Sequence, residues 1–354
     1  MSEFLSDRYK ALAPYTPGEQ PRNRKYIKLN TNESPFPPSE KAVRAAAEAA
    51  EGLQLYSDPE CTLLTEKVAD TLGLRADEIL MTNGSDEILN FAFMAFCDDR
   101  RGAAFADITY GFYPVFAAIN SVPYTEIPLR EDFTLCAADY FGINRTVFIA
   151  NPNAPTGIAL PVSEIEQILR SNPDNVVVVD EAYVDFGGES CIPLIRKYRN
   201  LLVTQTFSKS RSMAGARLGF GAACPELIAD LRMMKYSTNP YNVNSMTMAA
   251  GIGALSDPEY TGKNCRTVAE NREYTAEKLR EMGFEVCPSK ANFLFARSGK
   301  ITGERLYREL KAHGILIRHF SLERIRDYNR ITIGTREQMD AFLQATEDIL
   351  KGLS

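Results

Sequence analysis

The sequence predicts an α/β protein with an open, mostly parallel sheet covered by helices, followed by a smaller α+β unit. Between residues 79 and 206, short apolar runs alternate with helical stretches, which is typical of such sheets. Residues 176–179 are all valine, as expected of a strand buried on both faces within a parallel sheet. After residue 245 the strands become shorter and alternate with amphipathic helices, which indicates a separate, smaller unit.

The first part of the chain is expected to form an arm and then the large sheet. Prolines and polar residues dominate residues 1–40, so we expect an extended N-terminal arm. Ser39 can cap a following alanine-rich helix, and a second amphipathic helix follows a proline-containing break. The elements expected next are helices at 40–50, 62–72, 88–96 and 162–169, and strands at 79–81, 103–106, 122–127, 147–150, 176–180 and 201–203.

A polar segment at 236–244 interrupts this pattern. Helices at 245–255 and 267–282 are expected to lead away from the sheet, since their apolar residues recur at helical spacing. The smaller unit is expected to contain strands at 284–286, 293–295, 315–317 and 330–333 and helices at 303–313 and 338–351. We therefore predict an arm at 1–40 that packs with the small domain, a large domain at 41–245, and a linking helix with the small domain at 246–354.

Composition narrows the possible functions. The 354 residues carry a net charge of −6 with no long basic run, which argues against nucleic acid or an anionic membrane as the main partner and favours small molecules. No apolar run could serve as a signal peptide or span a bilayer, so we expect a cytoplasmic protein. Seven scattered cysteines and only two histidines indicate no disulfide framework and no metal site.

Chemically unusual residues follow the strand ends, where ligands bind in open α/β sheets. Lys209 comes just after the strand at 201–203, and a lysine held in a cleft there can have a lowered pKa and form a Schiff base with an aldehyde. Asp180 ends the most apolar strand, where a buried carboxylate needs a partner such as a protonated pyridine nitrogen. The alternative interpretations are a solvated lysine and an aspartate that caps the next turn.

The remaining strand-end residues suit a phosphorylated aromatic ligand. Gly84, Ser85 and Asp86 precede a helix, whose first amides can bind an anion, although Ser and Asp there are also ordinary caps. Arg217 is suited to a phosphate, and Thr206 and Ser208 add hydroxyl groups. Tyr183 could donate to a phenolate oxygen and Tyr110 could contact a ring face. Together with Lys209 and Asp180, these groups indicate pyridoxal 5'-phosphate.

The ordered motifs also resemble a family. Residues 151–157, 180–183, the pair Ser208-Lys209 with Arg217, and 330–335 resemble the fold-type I aminotransferases. More narrowly, residues 14–15, 29–33, 109–111 and 330–336 are similar to those of histidinol-phosphate aminotransferases, a class II group within this family. The resemblance covers nearly the whole chain. It implies a seven-stranded sheet of the fold-type I kind, with pyridoxal 5'-phosphate as the cofactor.

The resemblance implies a role for each matching residue. Lys209 would be linked to the cofactor, Asp180 would pair with the ring nitrogen, and Tyr183 would contact the ring oxygen. The phosphate would be held by Ser85, Asp86, Ser208 and Arg217, and Tyr110 would stack on the ring. Tyr56 would reach the phosphate of the neighbouring subunit, which implies a homodimer with shared active sites. Arg330 would bind the substrate carboxylate, and Arg318, Tyr15 and Asn32 would shape the substrate end of the pocket.

One position departs from the family pattern. The family commonly has an asparagine immediately before Pro-Thr-Gly to bond the ring oxygen, and here that position is Ala154. Either Asn153 replaces this asparagine, or Tyr183 holds the ring oxygen alone.

The resemblance implies amino transfer between L-histidinol phosphate and 2-oxoglutarate, in histidine biosynthesis, with Lys209 as the general base and acid. Three alternatives stay open: transfer from aromatic amino acids, decarboxylation of threonine phosphate on the same cofactor, and a non-catalytic binding or regulatory module.

Overall fold

The computed structural model describes residues 2–21 and 24–353, which contain thirteen strands and ten α-helices. The strands are β1 (Ile27–Lys28), β2 (Ile79–Thr82), β3 (Ala103–Ala106), β4 (Tyr124–Ile127), β5 (Thr146–Ala150), β6 (Val177–Asp180), β7 (Leu201–Thr206), β8 (Gly219–Ala223), β9 (Phe284–Val286), β10 (Phe293–Ser298), β11 (Ile315–Leu316), β12 (Arg318–His319) and β13 (Tyr328–Thr332). The helices are α1 (Glu40–Ala49), α2 (Thr62–Leu72), α3 (Ser85–Phe96), α4 (Tyr113–Ile119), α5 (Val162–Ser171), α6 (Pro225–Thr238), α7 (Ser245–Leu255), α8 (Pro258–Glu281), α9 (Gly303–Ala312) and α10 (Arg336–Lys351).

The largest sheet has seven strands in the order β2-β8-β7-β6-β5-β3-β4. The five strands from β7 to β4 are parallel, whereas β8 runs antiparallel to both of its neighbours. The predicted α/β class with a mostly parallel seven-stranded sheet is therefore confirmed. Because β8 reverses direction, β2 points the same way as β7, and the carboxyl ends of β2, β5, β6 and β7 share one edge.

Helices cover both faces of this sheet, which explains the uninterrupted valine run. In β6, Val177 and Val179 pack in one apolar cluster with Ile165 of α5. Val178 points to the opposite face and packs in a second cluster with Phe93 of α3. Successive side chains of a strand point to opposite faces, so a strand covered on both sides must be apolar throughout.

A second unit lies beyond α7. Its antiparallel sheet has the order β12-β13-β10-β9, and α8, α9 and α10 pack on it around Phe293, Leu310 and Phe342. The arm strand β1 pairs in parallel with β11, with Ile27 opposite Ile315. The arm is thus tied to this unit at its C-terminal end.

Five elements were not predicted, namely β1, β8, β12, α4 and α6, and helix α8 is longer than predicted. Strand β8 is Gly-Phe-Gly-Ala-Ala, whose glycines and alanines have weak strand propensity, so only pairing with two neighbours makes it a strand. The short helix α4 and the weakly amphipathic α6 also lay outside the prediction. Helix α8 begins at Pro258 rather than at residue 267, since proline is well tolerated in a first helical turn. No helix among residues 2–21 and 24–353 combines the length and apolar character needed to cross a membrane.

Candidate active site

One cleft at the carboxyl edge of the large sheet gathers most of the residues singled out in the sequence. It contains about 830 Å³ of space between protein atoms, part of it open to solvent. The large sheet forms its floor, and the arm and the second unit close its other side. The predicted site residues that line it are Tyr15, Asn32, Ser85, Asp86, Tyr110, Asp180, Tyr183, Thr206, Ser208, Lys209, Arg217, Arg318 and Arg330.

Lys209 follows the end of β7, and its amine lies inside the cleft. Its Nζ is 3.4 Å from the carbonyl oxygen of Thr31 and 5.8 Å from the centre of the Tyr183 ring. Burial, together with the nearby Arg330 guanidinium, lowers the pKa of the Lys209 amine to about 8. A useful fraction of this amine is therefore neutral near pH 7 and nucleophilic towards an aldehyde.

Asp180 presents a buried carboxylate to the cleft. The residue is 5% exposed, and its oxygens accept hydrogen bonds from the Tyr113 hydroxyl at 3.2 Å and the Ala182 backbone amide at 3.2 Å. Among residues 2–21 and 24–353, no cationic side chain forms an ion pair with it. Burial, with a further contribution from the Asp86 carboxylate, raises the pKa of Asp180 to about 7. The carboxylate would be stabilised by a cation placed in the cleft.

One corner of the cleft is built to bind an anion. Helix α3 begins at Ser85, and no side chain caps its first turn. The Arg217 guanidinium is 3.0 Å from an Asp86 oxygen and 3.4 Å from the Ser208 hydroxyl, and Thr206 donates to that hydroxyl at 3.0 Å. A helix N-terminus, an arginine and hydroxyl groups that converge in this way match the needs of a phosphate.

Two glycines make this corner possible. Gly219 lies opposite both Thr82 and Thr206, and a Cβ at residue 219 would be only 2.4 Å from the Ser85 backbone nitrogen. Gly84 has φ of +75°, and a Cβ there would lie 2.5 Å from a nitrogen of Arg217. The close approach of β8 to the start of α3 therefore requires glycine at residue 219, and the positive φ favours glycine at residue 84.

Two tyrosines border the centre of the cleft. The Tyr183 hydroxyl accepts a hydrogen bond from Asn32 Nδ2 at 3.0 Å, and its ring meets Phe293 edge-on. Tyr110 donates its hydroxyl hydrogen to Asp86 at 2.7 Å. Both rings line the space between Lys209 and the anion-binding corner.

The opposite end of the cleft carries two arginines. Arg330 donates to the Asn30 carbonyl oxygen at 3.1 Å, while its Nε is buried without a partner among the described residues. Burial lowers the pKa of the Arg330 guanidinium from its ordinary value. Arg318 donates to two arm carbonyl oxygens, those of Thr16 and Pro17, at 3.0 and 3.2 Å. This end can therefore receive a second anionic group, with the arm held across it.

The structure does not bring every predicted residue into the cleft. Asn153 lines a separate cavity, and its amide is bonded to Thr109, Thr156 and the Ile108 carbonyl at 2.8–3.1 Å. It therefore does not occupy the place of the asparagine that is missing at position 154. Tyr56 lies outside the cleft, 84% exposed.

Sequence reasoning missed two residues that orient the site. Tyr113, fully buried at the start of α4, donates to Asp180, and its position three residues after Tyr110 was the available signal. Thr332 at the end of β13 bonds to Asn32, and no local pattern pointed to this contact because 300 residues separate the two.

Comparison with known proteins agrees with the geometry. The family described as aminotransferase class I and II matches residues 24–345. The histidinol-phosphate aminotransferase of Brachyspira hyodysenteriae is 46% identical over 353 residues, which are 99% of this chain and 100% of that protein. The protein of the same name from Clostridium acetobutylicum is 44% identical over 351 residues, again 99% of this chain and 100% of the relative.

A solved structure shares the fold. The histidinol-phosphate aminotransferase of Sinorhizobium meliloti, in complex with pyridoxal-5'-phosphate, superposes with a TM-score of 0.90 at 22% identity, and the match covers 100% of this chain and 99% of that one. The prediction of an aminotransferase is confirmed by the family match, which spans most of the chain. This protein belongs to the class I and II aminotransferases.

Proposed function

We propose that this chain uses pyridoxal 5'-phosphate to move an amino group between L-histidinol phosphate and 2-oxoglutarate, a reaction of histidine biosynthesis. The observation that carries the proposal is the set of three groups in one cleft: an amine with a lowered pKa, a buried carboxylate without a cation, and an anion-binding corner. The full-length relatives named for this substrate support the choice of amino donor.

The residues present fit this cofactor. A protonated ring nitrogen would supply the cation that the Asp180 carboxylate lacks. The cofactor phosphate would replace Asp86 as the main partner of Arg217 and would accept from Ser208 and the first amides of α3. When bound, the cofactor supplies an aromatic ring that accepts the electron pair released at the substrate Cα.

The chain's own residues would then perform the acid-base work. The Lys209 Nζ, once released by the substrate amine, would take the proton from the substrate Cα and deliver it to the C4' carbon of the cofactor rather than back to Cα. Its lowered pKa keeps a neutral fraction available for the first of these transfers. Asp180, oriented by Tyr113, would keep the ring nitrogen protonated. The Tyr183 hydroxyl would donate to the ring oxygen.

Arg330 and Arg318 would bind anionic groups of the two substrates. The unpartnered Nε of Arg330 can donate to the carboxylate of 2-oxoglutarate or to the phosphate of histidinol phosphate. Arg318 links the same region to the arm, and Tyr15, stacked on Phe112 at 4.2 Å, closes it from the side. Histidinol phosphate carries its phosphate one methylene group away from the reacting carbon, and 2-oxoglutarate carries a carboxylate next to its reacting carbon, so one basic pocket can serve both.

A homodimer forms part of the proposal. Tyr56 points away from its own cleft and stacks on Tyr241 at 4.6 Å, with most of its surface exposed. Leu53, Leu55 and Leu63 are exposed in the same region of the chain. Exposed apolar residues grouped in this way are typical of protein interfaces. Contact with a second copy would cover them and bring Tyr56 near the neighbouring cofactor phosphate.

The test begins with the purified protein loaded with pyridoxal 5'-phosphate. Histidinol phosphate, glutamate, phenylalanine and threonine phosphate are added in turn, and the absorbance of the bound cofactor is followed. Histidinol phosphate should change the spectrum at the lowest concentration, and 2-oxoglutarate should restore it. Release of carbon dioxide from threonine phosphate, or a stronger response to phenylalanine, would overturn the assignment of the amino donor.

A lysine variant tests the cofactor linkage. Lys209→Ala should retain no cofactor after borohydride reduction and denaturation, as measured by intact mass, and should show no turnover. Lys278→Ala, which removes an exposed lysine of α8, is the matched control and should behave as the parent protein does. Full activity of Lys209→Ala would refute the proposed function.

A further inference from the structure

Asn32 is held rigidly at the boundary between the arm and the cleft. The residue is 1% exposed and has φ of +56°, a left-handed conformation that asparagine tolerates better than most residues. Its backbone oxygen accepts from Asn292 Nδ2 at 3.0 Å, and its backbone amide donates to the Thr332 hydroxyl oxygen at 2.9 Å. The side chain therefore starts from a fixed backbone on both sides.

The hydrogen bonds of this group fix the direction of each hydrogen. The Thr332 hydroxyl already accepts from the Asn32 backbone amide, so its own hydrogen is free to go to Asn32 Oδ1, 3.0 Å away. If the Asn32 amide were turned by 180°, its Nδ2 would face the Thr332 hydroxyl. That oxygen would then accept two hydrogen bonds, and the Thr332 hydroxyl hydrogen would have no acceptor. Asn32 Nδ2 consequently donates to the Tyr183 oxygen at 3.0 Å.

This arrangement leaves the Tyr183 hydrogen available to the cleft. A phenol has one hydrogen, and its oxygen is occupied as an acceptor by Asn32. No acceptor among residues 2–21 and 24–353 takes that hydrogen, and Phe293 holds the Tyr183 ring edge-on at 5.0 Å. Position 154 is alanine and Asn153 is bonded elsewhere, so neither can donate at this place.

We propose that Asn32 is a positioning residue that acts through Tyr183, the remaining donor to the ring oxygen in a chain whose position 154 is alanine. Thr332, Asn32 and Tyr183 form a hydrogen-bond relay that directs the Tyr183 hydroxyl towards the ring oxygen of the cofactor. Asn32 contributes by making Tyr183 an obligatory donor to the cofactor. The inference deepens the proposed function and rests on it.

Charged groups that face Tyr183 also influence the ionisation of its hydroxyl. Arg330 of β13 favours the ionised phenol, whereas Asp180 of β6 and Asp86 of α3 disfavour it. Lys209 lies 5.8 Å from the ring centre. Any substitution that alters charge nearby will change this balance, so the test must separate a charge effect from a change in hydrogen direction.

The test is a double-mutant cycle on the cofactor-loaded protein, read as the pH midpoint of the cofactor absorbance without substrate. Asn32→Asp keeps the shape and tolerates the left-handed backbone, but its oxygens can only accept, so Tyr183 must turn its hydrogen away from the cofactor. A ring oxygen that has lost one hydrogen-bond donor is more basic. The proton that it shares with the Lys209 nitrogen is therefore bound more tightly, and its pKa rises. The midpoint should rise by about one pH unit in Asn32→Asp and in Tyr183→Phe alike.

The double variant and a control decide the outcome. In the Tyr183→Phe background Asn32→Asp should add no more than the charge effect seen in Asn30→Asp, because the hydroxyl through which it acts is gone. Asn30→Asp places the same charge two residues away without touching Tyr183, and should shift the midpoint far less. An unchanged midpoint in Asn32→Asp, or shifts that add fully in the double variant, would overturn the relay. A parent protein that binds no cofactor would instead refute the proposed function itself.

Discussion

Replacing Asp180 by asparagine should stabilise the protein before the cofactor binds. The carboxylate is 5% exposed, has two hydrogen-bond donors and forms no ion pair among the described residues. Asparagine has nearly the same shape and cannot ionise. The substitution therefore removes a buried charge while retaining the packing around it.

The size of the effect follows from the pKa of Asp180, which burial raises from 3.8 to about 7. Between those values the folded protein holds a proton that the unfolded chain has released, so stability falls as the pH rises and stays low above pH ~7. Three pKa units correspond to about 4 kcal/mol. Asparagine can keep one of the two hydrogen bonds, and losing the other costs about 1 kcal/mol. The net gain is about 3 kcal/mol at pH 8 and should vanish near pH ~4.5.

Urea unfolding of the cofactor-free protein measures this gain. With a slope of about 3 kcal/mol per molar, the unfolding midpoint of Asp180→Asn should lie about 1 M above that of the parent at pH 8. Saturating pyridoxal 5'-phosphate should reverse the order, because only the carboxylate can pair with the ring nitrogen. An Asp180→Asn midpoint at or below the parent value at pH 8 would show that the buried carboxylate is already compensated and would refute the reasoning.

Three further predictions concern the anion-binding corner and the lysine. Gly219→Ala should lower stability by about 2 kcal/mol or more and weaken cofactor binding, because the new Cβ would meet the Ser85 backbone; urea unfolding and cofactor titration measure both, and a neutral result would contradict the close approach. Arg217→Met should weaken binding of pyridoxal 5'-phosphate by about 10- to 100-fold but leave unphosphorylated pyridoxal almost unaffected, as equilibrium titration with the two ligands would show. The rate of cofactor attachment should rise with pH up to about 8, where the Lys209 amine becomes neutral, and stopped-flow absorbance would reveal a rate independent of pH if this is wrong.

The fold could be predicted wherever a strand is buried on both faces, because such a strand appears in the sequence as an uninterrupted apolar run. The valines of β6 and the apolar start of β7 met this condition, so the sheet and the strand ends carrying Asp180 and Lys209 were placed correctly. Strand β8 has no such apolar run, because glycine is needed at residue 219 for close packing rather than for strand propensity. Its antiparallel direction, which brings Arg217 to the same edge as Lys209, could not be derived from local pattern.

The prediction for the ring oxygen was the least complete. The resemblance to the family pointed to the alanine at position 154 and left Asn153 or Tyr183 alone as the replacement for the family's asparagine. The structure turns Asn153 into another cavity and places Asn32 against Tyr183. The contact joins residues 151 positions apart, and the Thr332 contact that orients it spans 300 positions. Contacts between residues so far apart in the chain produce no periodic pattern in the sequence, so neither contact could be predicted from it.

The sequence by itself determined the α/β class, the positions of most strands along the chain and the chemical types gathered at their ends, because these depend on local periodicity and on where polar residues interrupt apolar runs. Only the tertiary structure decided which of these residues meet. Burial beside Arg330 lowers the pKa of Lys209, burial beside Asp86 raises that of Asp180, and the relay through Asn32 orients Tyr183. These effects depend on distances of a few ångströms between groups that are remote in the chain, and folding alone sets those distances.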